Sequence, residues 1–423
     1  MSETSIQTQC CIAGGGPAGL MLGYLLARAG VDVVVLEKHA DFLRDFRGDT
    51  IHPSTIDLLG ELGLKDEFLA LPHDRIETLD VVISGNRIRP IDFRRLHGGT
   101  HFLALMPQWD FLNFMADEAS QYPNFRLIMQ AEVTGIRRNH GRVAGVTAKT
   151  PDGPIDVVAA LTVAADGRAS AVRAAAGMVP REFGVAVDVL WFHLPKLGRP
   201  QPATLAYLDS RSMVITIPRE GYYQAGMLIP KGGFDAIRAE GLDAFRQRIV
   251  DAAAFLAPAV PQLASWDEVK LLSVRVNRLK RWSAPGLLCI GDAAHAMSPA
   301  FGVGVNYAIQ DAVASANLLA VPLKAGSVTP KELAAVQARR LPPVRLMQPI
   351  QLQLHKRIGR SGSGIKLPHP LPLRWRVFLR IVLPAIQRVA ARMVGRGFRP
   401  EHLRADLFPA ARQLPFQGKT DIR

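Results

Sequence analysis

Cysteine is scarce in this chain of 423 residues, which contains only Cys10, Cys11 and Cys289. Cys10 and Cys11 are neighbours in an apolar run typical of a buried strand, where consecutive side chains point to opposite faces and do not pair easily. No cluster of cysteines and histidines has the spacing of a zinc site. The scarcity therefore predicts a reducing compartment and no structural metal.

Targeting and membrane-spanning patterns are also lacking. The first ten residues are polar and contain neither the basic stretch nor the apolar stretch of a signal peptide. No run of about 18 uncharged apolar residues occurs, so a transmembrane helix is not expected. We therefore predict a cytoplasmic protein.

Acidic residues are scarce in the last fifth of the chain. The net charge is +14, and between Arg340 and Arg423 there are 17 lysines and arginines against three acidic residues. A basic segment is compatible with nucleic-acid binding, but aromatic residues are sparse there and no nucleic-acid-binding motif accompanies it. We therefore predict no nucleic-acid partner.

The first informative pattern is a glycine-rich turn between two apolar runs. Residues 9–13 predict a buried strand, residues 20–29 a helix and residues 31–36 a second strand. Between the first strand and the helix, the pattern G-x-G-x-x-G is formed by Gly14, Gly16 and Gly19. Such glycines let the backbone approach a pyrophosphate, and Glu37, 21 residues after Gly16, can bind ribose hydroxyls. The order strand, turn, helix, strand predicts a parallel sheet that binds a dinucleotide.

Two later segments distinguish FAD from NAD. Residues 161–173 end an apolar run with D-G-x-x-S-x-x-R, which starts at Asp166. Residues 287–295 end another apolar run with G-D-A-A-H, and a glycine-rich stretch continues to Asn306. An aspartate at the end of a strand can bind a ribityl hydroxyl. A helix that begins near Gly304 would direct its positive end at the N1–C2=O edge of a flavin.

These three motifs, in this order and spacing, resemble the FAD-dependent aromatic monooxygenases of the para-hydroxybenzoate hydroxylase type, which are single-component flavoprotein hydroxylases. The resemblance extends from about residue 9 to about residue 320 and more loosely to Gln351. It implies an α/β fold, with a Rossmann-like FAD-binding domain, an interleaved antiparallel β-sheet substrate domain and C-terminal helices.

The elements along the chain suggest the limits of these domains. We assign residues 1–72, 101–178 and 275–330 to the FAD-binding domain, 73–100 and 179–274 to the substrate-binding β-sheet domain, and 331–423 to a basic helical region. Within them we predict helices over residues 107–121 and 234–254. The C-terminal helices are predicted to break at Pro342-Pro343.

The resemblance also implies which residues bind the cofactor. The first motif would bind the ADP part of FAD, Asp292 the ribityl or pyrophosphate part, and Asp166 both FAD and a transient NAD(P)H. Arg47 and Gln108 would reach the cofactor, and the backbone of Val133 would meet the adenine. The predicted cofactor-binding set is Gly14, Gly16, Pro17, Ala18, Gly19, Glu37, Lys38, Arg47, Gln108, Val133, Asp166, Asp292, Pro299, Gly302, Gly304, Val305 and Asn306.

The implied function is hydroxylation of an aromatic or polycyclic small molecule with FAD, O2 and either NADH or NADPH. No second G-x-G-x-x-G is present, as expected for enzymes in which the nicotinamide visits the flavin and leaves. Two alternatives stay open: a related flavin oxidoreductase that inserts no oxygen, and a flavin-carrying binding or membrane-assembly protein. The sequence does not specify the substrate, the oligomeric state or the choice between NADH and NADPH.

No residue is assigned a catalytic role, because the oxygen chemistry of such enzymes belongs to the cofactor and the protein orients the substrate and excludes water. Candidate bases for a phenolic substrate are His52, His101, His193, Tyr207, Tyr222 and Tyr223. On a strand, Tyr222 and Tyr223 would point to opposite faces. His295 of G-D-A-A-H is predicted to pack and hydrogen-bond. Residues 223–230 lack the two tryptophans of the family's halogenating relatives, which disfavours halogenation.

Basic residues recur regularly near the C-terminus. Five arginines at multiples of four predict a basic amphipathic helix that is kinked at Pro384: Arg376, Arg380, Arg388, Arg392 and Arg396. Three interpretations stay open. The helix packs on the flavin domain with solvated arginines, or it closes over the substrate pocket, or residues 374–396 contact an anionic membrane surface, which would place the protein at the periphery of the inner membrane.

Overall fold

The computed structural model describes residues 4–43, 50–197, 204–209, 212–361 and 368–409. Its strands are β1 (Thr4–Ala13), β2 (Val33–Leu36), β3 (Thr50–Ile51), β4 (Asp74–Ile76), β5 (Thr78–Ile83), β6 (Asn86–Asp92), β7 (Leu103–Leu105), β8 (Phe125–Ile128), β9 (Glu132–Asn139), β10 (Arg142–Thr150), β11 (Gly153–Ala164), β12 (Arg181–Phe183), β13 (Val187–Pro195), β14 (Thr204–Leu208), β15 (Met213–Pro218), β16 (Tyr222–Pro230), β17 (Lys270–Leu272), β18 (Val276–Arg278), β19 (Ser283–Ala284) and β20 (Leu287–Cys289). Its α-helices are α1 (Pro17–Arg28), α2 (Pro53–Glu61), α3 (Lys65–Ala70), α4 (Gln108–Ser120), α5 (Ala171–Ala175), α6 (Phe234–Ala239), α7 (Leu242–Ala252), α8 (Gly304–Lys324), α9 (Pro330–Ser361) and α10 (Leu373–Gly395).

The larger sheet brings together the strands that precede the three motifs. Its strand order is β19-β20-β11-β1-β2-β8, and β10 and β9 extend from β11. Strands β20, β11, β1, β2 and β8 are parallel neighbours, with Cys10 in register with Leu161 and Val33. The predicted βαβ unit is thus confirmed as β1, α1 and β2. Because the carboxyl ends of parallel strands share one edge, the motifs that follow β1, β11 and β20 lie side by side.

Cysteine burial follows from the position of these central strands. Cys10, Cys11 and Cys289 are free thiols with no exposed surface. Burial raises the pKa of both Cys11 and Cys289 to about 12. Since the thiolate is the reactive form, these cysteines serve as small apolar core residues.

A second sheet of seven strands has the order β17-β13-β16-β15-β14-β5-β6. It is antiparallel except for the pair β14 and β5. One face is covered by α7, where Phe192 and Tyr223 belong to one buried cluster with Phe245 and Ile249. Alternation along each strand turns the intervening residues to the opposite face, which we call the inner face.

The inner face points toward the larger sheet. Trp191 and Val189 are buried there with Val274, and Ile217 and Leu228 pack against them. Ile217 also packs against the core that contains the larger sheet. The second sheet is therefore covered by α7 on one side and packs against the main core on the other.

The predicted domain limits stay a prediction, although the sheets follow them closely. The seven-stranded sheet uses strands within 73–100 and 179–274. Two short pairs join the predicted ranges, because β4 pairs with β7 and β12 pairs with β18. The chain crosses between the two sheets several times, which is the interleaving expected from the sequence.

Two helix predictions need correction. The sequence predicts a break at Pro342-Pro343, but α9 runs through both prolines. Each proline removes one backbone hydrogen bond, yet buried Val344 and Met347 pack this part of α9 into the main core. The helix predicted over residues 234–254 is divided into α6 and α7 at Gly241, whose φ of +95° interrupts the helix. By contrast, the helix predicted over 107–121 is confirmed as α4.

Neither a membrane span nor a metal cluster is found in the part of the chain that the structure describes. Within those residues, no helix has both the length and the apolar character that crossing a bilayer requires. Among the same residues, no three side chains of histidine, cysteine, aspartate or glutamate are grouped so as to hold a metal ion.

Candidate functional site

The turn after β1 is shaped by two close backbone approaches. Gly14 has a φ of +105°, and a Cβ atom there would lie 2.5 Å from the carbonyl oxygen of Ala165. A Cβ atom on Gly19 would lie 1.9 Å from the carbonyl oxygen of Gly14. Around Gly16, by contrast, a Cβ atom would meet no described heavy atom within 4 Å. The first and last glycines therefore allow tight packing, and the middle one faces open space of the kind a pyrophosphate needs.

The start of α1 offers hydrogen-bond donors to that space. The helix begins at Pro17, and its N-cap residue, Gly16, has no side chain to cap it. The N–H groups of the first turn, including those of Ala18 and Gly19, have no partner within the helix. Since the helix dipole also favours negative charge at this end, the turn suits the pyrophosphate of FAD.

Glu37 follows β2 and lies over the glycine turn. Its Oε2 accepts a hydrogen bond of 2.9 Å from the N–H of Gly15, and its Oε1 accepts one of 3.1 Å from the N–H of His39. The residue is buried, with 8% of its surface exposed. These bonds orient the carboxylate beside the turn, where a carboxylate can accept hydrogen bonds from ribose hydroxyls.

Asp166 follows β11 and faces the same edge of the sheet. Its Oδ2 accepts a hydrogen bond of 3.2 Å from the N–H of Val172. Its Oδ1 is buried and has no partner among the described residues. A buried carboxylate oxygen without a partner is costly, so a ligand hydroxyl or amide is the expected partner at this place.

Two arginines connect the D-G motif to the G-D-A-A-H motif. The Nε of Arg168 donates to Oδ2 of Asp292 at 2.9 Å, and both side chains are about a third exposed. Arg173 is buried and donates to the carbonyl oxygens of Ala293 and Arg168 at 2.9 and 2.7 Å. Asp292 is therefore paired with Arg168 at the sheet edge where the cofactor is expected. The sequence did not indicate this contact, because the two residues are 124 positions apart.

A buried charge network holds the G-D-A-A-H segment on α8. Asp311 is fully buried, and its Oδ2 accepts from His295 at 2.6 Å and from the N–H of Gly291 at 3.0 Å. Its Oδ1 accepts from Arg340 of α9 at 3.0 Å. Burial acts to raise the pKa of Asp311, but His295 and Arg340 outweigh it and hold that pKa below its usual range. The prediction that His295 packs and hydrogen-bonds is confirmed, since its ring also lies 4.8 Å from that of Trp282.

The loop after this segment is fixed by α9. Gln351 accepts from the N–H of Ser298 at 3.2 Å and donates to the carbonyl oxygens of Ser298 and Ala300 at 3.2 and 3.0 Å. The Nε2 of His355 lies 2.8 Å from the Oγ of Ser298. Burial lowers the pKa of His355 to about 4, so its ring is neutral at pH 7. We call these contacts of Gln351 and His355 with residues 298–300 the α9 clamp. Pro299 lies within the clamped segment, at the position predicted to line the isoalloxazine ring.

Beyond Pro299 the chain takes two consecutive left-handed residues, Phe301 and Gly302, with φ of +67° and +63°. The carbonyl oxygen of Gly302 accepts from Thr50 at 3.2 Å and lies 3.0 Å from Nε2 of His52. A trans peptide directs its C=O and N–H to opposite sides, so these contacts turn the N–H of Val303 away from Thr50 and His52. The turn thereby presents a backbone donor beside the start of α8.

The start of α8, like that of α1, has no side-chain cap. Its N-cap residue, Val303, makes no side-chain hydrogen bond to it, and a Cβ atom on Gly304 would meet nothing described within 4 Å. The N–H groups of Gly304 and Val305 can therefore receive an electron-rich carbonyl. The side chain of Asn306 is engaged elsewhere, because its Oδ1 accepts from Ser54 and Thr55 at 2.7 and 3.0 Å and so joins α8 to α2.

For the remaining members of the predicted set, the structure gives only their exposure and the element on which they lie. Lys38 is exposed after Glu37, Gln108 is the half-buried first residue of α4, and Val133 is half-buried in β9. Arg47 lies outside the described residues. The cofactor contacts of these four residues, like those of the rest of the predicted set, stay predictions.

The candidate bases are divided between buried structural positions and the substrate sheet. His52 is fully buried between the carbonyl oxygens of Gly302 and Val394, and burial lowers its pKa. Tyr207 and Tyr223 pack with Phe255 on the side of the sheet that faces α7. These three residues are therefore placed in structural roles.

Three candidates have at least part of their surface accessible. Tyr222 lies on the inner face, confirming that the adjacent tyrosines diverge, and its ring is 5.0 Å from that of His193. His193 is exposed, Tyr222 is half-buried, and half-buried His101 lies outside this sheet. His193 and Tyr222 are the candidates that share the inner face.

An apolar surface extends along the inner face between the two sheets. Strand alternation and register place a set of half-buried side chains on it: Leu79, Val81, Ile88, Ile215, Ile217 and Leu228. Partly exposed aliphatic side chains inside a fold are typical of a ligand cleft rather than of a closed core. The sequence indicated this surface only through strand alternation.

Another cavity, of about 590 Å³, opens between α2, residues 97–99 and residues 396–402. Charged groups along its walls are engaged within the protein, since Glu61 pairs with His402 at 2.5 Å and Asp57 accepts from the N–H of Thr100 at 2.7 Å. This cavity is distinct from the edge where the three motifs meet, and we assign it no ligand.

Comparisons with known proteins agree with the motif geometry. The model of the family described as "FAD binding domain" matches residues 7–348. The chain is 29% identical over 405 residues to the 6-methylpretetramide 4-monooxygenase of Streptomyces rimosus, covering 95% of each protein. It is 28% identical over 356 residues to the 12-dehydrotetracycline 5-monooxygenase/anhydrotetracycline 6-monooxygenase of the same species, covering 78% of this chain and 66% of that protein.

The fold also matches solved structures. Pseudomonas aeruginosa PqsL in complex with 2-aminobenzoylacetate superposes with a TM-score of 0.72 at 22% identity, covering 85% of this chain and 98% of that one. At this identity the match shows a shared fold.

We expect the buried network around Asp311 to contribute strongly to stability. Replacing Arg340 by leucine leaves the buried Asp311 carboxylate with His295 and the N–H of Gly291 as its partners, which should lower the free energy of unfolding by about 3–5 kcal/mol. Arg339→Leu is the matched control, because Arg339 also pairs with Glu401 but its side chain is 38% exposed, and it should cost below about 1 kcal/mol. Urea unfolding of both variants measures the difference. Equal losses would contradict the assigned importance of Asp311.

We expect His355 to make stability depend on pH. Its folded pKa of about 4 lies below the ordinary histidine value of 6.5, so the unfolded chain binds a proton first as the pH falls. The free energy of unfolding should therefore decrease between pH 6.5 and 4, by up to about 3 kcal/mol from this residue. His355→Gln keeps a partner for Ser298 and should remove that part of the decrease, whereas exposed His97→Gln should not. Chemical unfolding across this pH range tests it, and parallel curves for wild type and His355→Gln would contradict it.

Proposed function

Because the chain belongs to the FAD binding domain family, we propose that it binds FAD where the three motif loops meet and hydroxylates a polycyclic aromatic molecule in the cleft beside them. It is an FAD-dependent monooxygenase that uses NAD(P)H and O2, as its relatives' names and family indicate. The observation that carries the site is the convergence of Gly14, Asp166 and Asp292 at one sheet edge between two uncapped helix starts.

The residues present fit FAD along its length. The pyrophosphate would be held by the N–H groups at the start of α1, and a ribose by Glu37. The unpartnered Oδ1 of Asp166 would receive a donor from the ligand. The backbone from Gly302 to Val305 would bind the pyrimidine edge of the flavin, where donors stabilise negative charge. When bound, FAD supplies the redox chemistry between NAD(P)H and O2.

The protein's own part in the reaction is to position the substrate and keep water away. The α9 clamp on residues 298–300 and the contacts of Thr50 with Gly302 hold the loop at the cleft rigid. The aliphatic inner face would receive a flat apolar ring system and displace water from it. Tyr222 and His193 remain the candidates on that face to accept a proton from a substrate hydroxyl.

The substrate class follows from the cleft and from the relatives. The relatives include monooxygenases of 6-methylpretetramide and of anhydrotetracycline, and the solved PqsL complex contains 2-aminobenzoylacetate. The extended apolar row from Leu79 to Leu228 across five strands supports a fused-ring substrate over a single small phenol. The contact of residues 374–396 with a membrane surface is a separate proposal that rests on α10.

We expect Gly16→Val to abolish FAD binding while the protein still folds. The new side chain would fill the open space beside the start of α1, and the backbone at Gly16, with φ −75° and ψ −176°, accepts any residue. FAD affinity should fall by at least about 100-fold, equivalent to roughly 2.7 kcal/mol. Gly135→Val is the matched control. A Cβ atom at Gly135 would also have no described heavy atom within 4 Å, but Gly135 lies on β9 and not in the glycine turn. Fluorescence titration of apoprotein with FAD measures both. Equal affinity of the two variants would refute the pyrophosphate site.

We expect purified protein to be yellow and to oxidise NADH or NADPH faster when its substrate is present. A panel of polycyclic phenols, simple phenols and quinones should contain a compound that accelerates oxidation and gains one oxygen atom from 18O-labelled O2. Stoichiometric incorporation of the label establishes hydroxylation. Bound FAD without acceleration or label across the panel would favour the oxidoreductase or binding alternatives.

A further inference from the structure

Helix α10 is attached to the protein along one side only. Its buried residues are Gln387, Ala391, Val394 and Gly395. Gln387 donates to the carbonyl oxygen of Arg89 in β6 at 2.9 Å. At Gly395 a Cβ atom would lie 3.2 to 3.3 Å from Pro53, Phe93 and Leu96, so the last turn fits closely. The helix is thus fixed at its C-terminal end and along the docked side.

The side opposite the docked residues carries a continuous apolar row. At 3.6 residues per turn, six residues spaced by three or four fall on one line, which we call the outer stripe. Its members are Trp375, Phe378, Val382, Ile386, Val389 and Met393. Four of them are large side chains with 49%, 51%, 45% and 69% of their surface exposed, namely Trp375, Phe378, Ile386 and Val389. The stripe is about 27 Å long at 1.5 Å per residue. It faces away from the protein except at its last member, Met393, which packs against the main core.

Arginines accompany the outer stripe on both sides. Arg374 and Arg392 lie about a quarter of a turn from it on one side, and Arg376 about a third of a turn on the other. Residues 333–400 contain no aspartate or glutamate. Within the described residues, none of the side chains of these three arginines forms a hydrogen bond or ion pair, whereas Arg396 at the end of the helix bonds to Gly98. The three arginines beside the outer stripe are therefore available to bind an anion outside the protein.

We propose that the outer stripe of α10 docks on the surface of an anionic lipid bilayer. Aromatic and aliphatic side chains would enter the boundary between headgroups and acyl chains, and the flanking arginines would bind lipid phosphates. Because α10 packs against β6 of the substrate sheet, docking would place the substrate sheet next to the membrane. The helix lies on the bilayer and does not cross it, which agrees with the arginines along its length.

The charge pattern favours a bilayer over a second copy of the chain. In a symmetric dimer the same patch meets itself, so stripe-to-stripe pairing would bring arginines against arginines. Residues 333–400 have no acidic side chain to neutralise them. An anionic bilayer satisfies the apolar row and the charges together.

The test uses full-length holoprotein and sedimentation with vesicles of phosphatidylcholine containing about 30% phosphatidylglycerol. We expect binding to these vesicles at about 0.1 M salt, at least tenfold weaker binding to pure phosphatidylcholine, and weakening at about 0.5 M salt. Phe378→Gln with Val389→Gln should reduce binding about tenfold or more, and Arg374→Gln with Arg392→Gln should do so for anionic vesicles. Glutamine keeps helix propensity, and retained FAD absorbance with an unchanged circular dichroism spectrum reports folding.

The matched control is Val179→Gln, since Val179 is an exposed apolar residue (83%) outside α10. It should leave vesicle binding unchanged. The proposal is overturned if the protein does not sediment with either vesicle, or if Phe378→Gln with Val389→Gln binds as wild type. It is also overturned if light scattering detects a dimer that this double substitution dissociates. The readout is binding, so it is independent of whether the substrate is known.

Discussion

A buried carboxylate, Asp311, is the interaction on which the site depends. A charge removed from water must be paired and hydrogen-bonded, and Asp311 satisfies this through Gly291, His295 and Arg340. Gly291 and His295 are the first and last residues of the G-D-A-A-H segment after β20, whereas Arg340 belongs to α9. Pairing one carboxylate therefore sets the loop that carries Asp292 and the start of α8 in fixed positions relative to each other.

The substrate sheet illustrates how one strand pattern serves two purposes. Alternate residues of β13 and β16 pack against α7 and form a closed core, which contains Phe192 and Tyr223. Among the intervening residues on the inner face, Val189 and Trp191 are buried, whereas His193, Tyr222 and Leu228 stay partly accessible. The same alternation decides to which face each of the adjacent tyrosines points. Tyr223 is therefore a core residue, and Tyr222 lies where a ligand can reach it.

Much of the fold could be predicted because its signals are local. The βαβ unit, α4 and the side-by-side motif strands follow from apolar periodicity, glycines and the spacing to Glu37. The errors have tertiary causes. Pro342 and Pro343 do not end α9, because the buried residues that follow them pack against the core. Arg168 with Asp292, and His52 with Gly302, are contacts between distant segments that no local pattern contains.

By itself, the sequence determined the class of cofactor and the edge of the sheet where it is expected, because glycines and strand-end carboxylates have steric and chemical requirements that are met locally. Only the tertiary structure decided which polar groups remain available there. Asn306 is engaged by Ser54 and Thr55, while one oxygen of Asp166 has no partner among the described residues. Likewise, the arginine pattern predicted an amphipathic helix, but which side of α10 is exposed depended on its packing against β6 and Phe93.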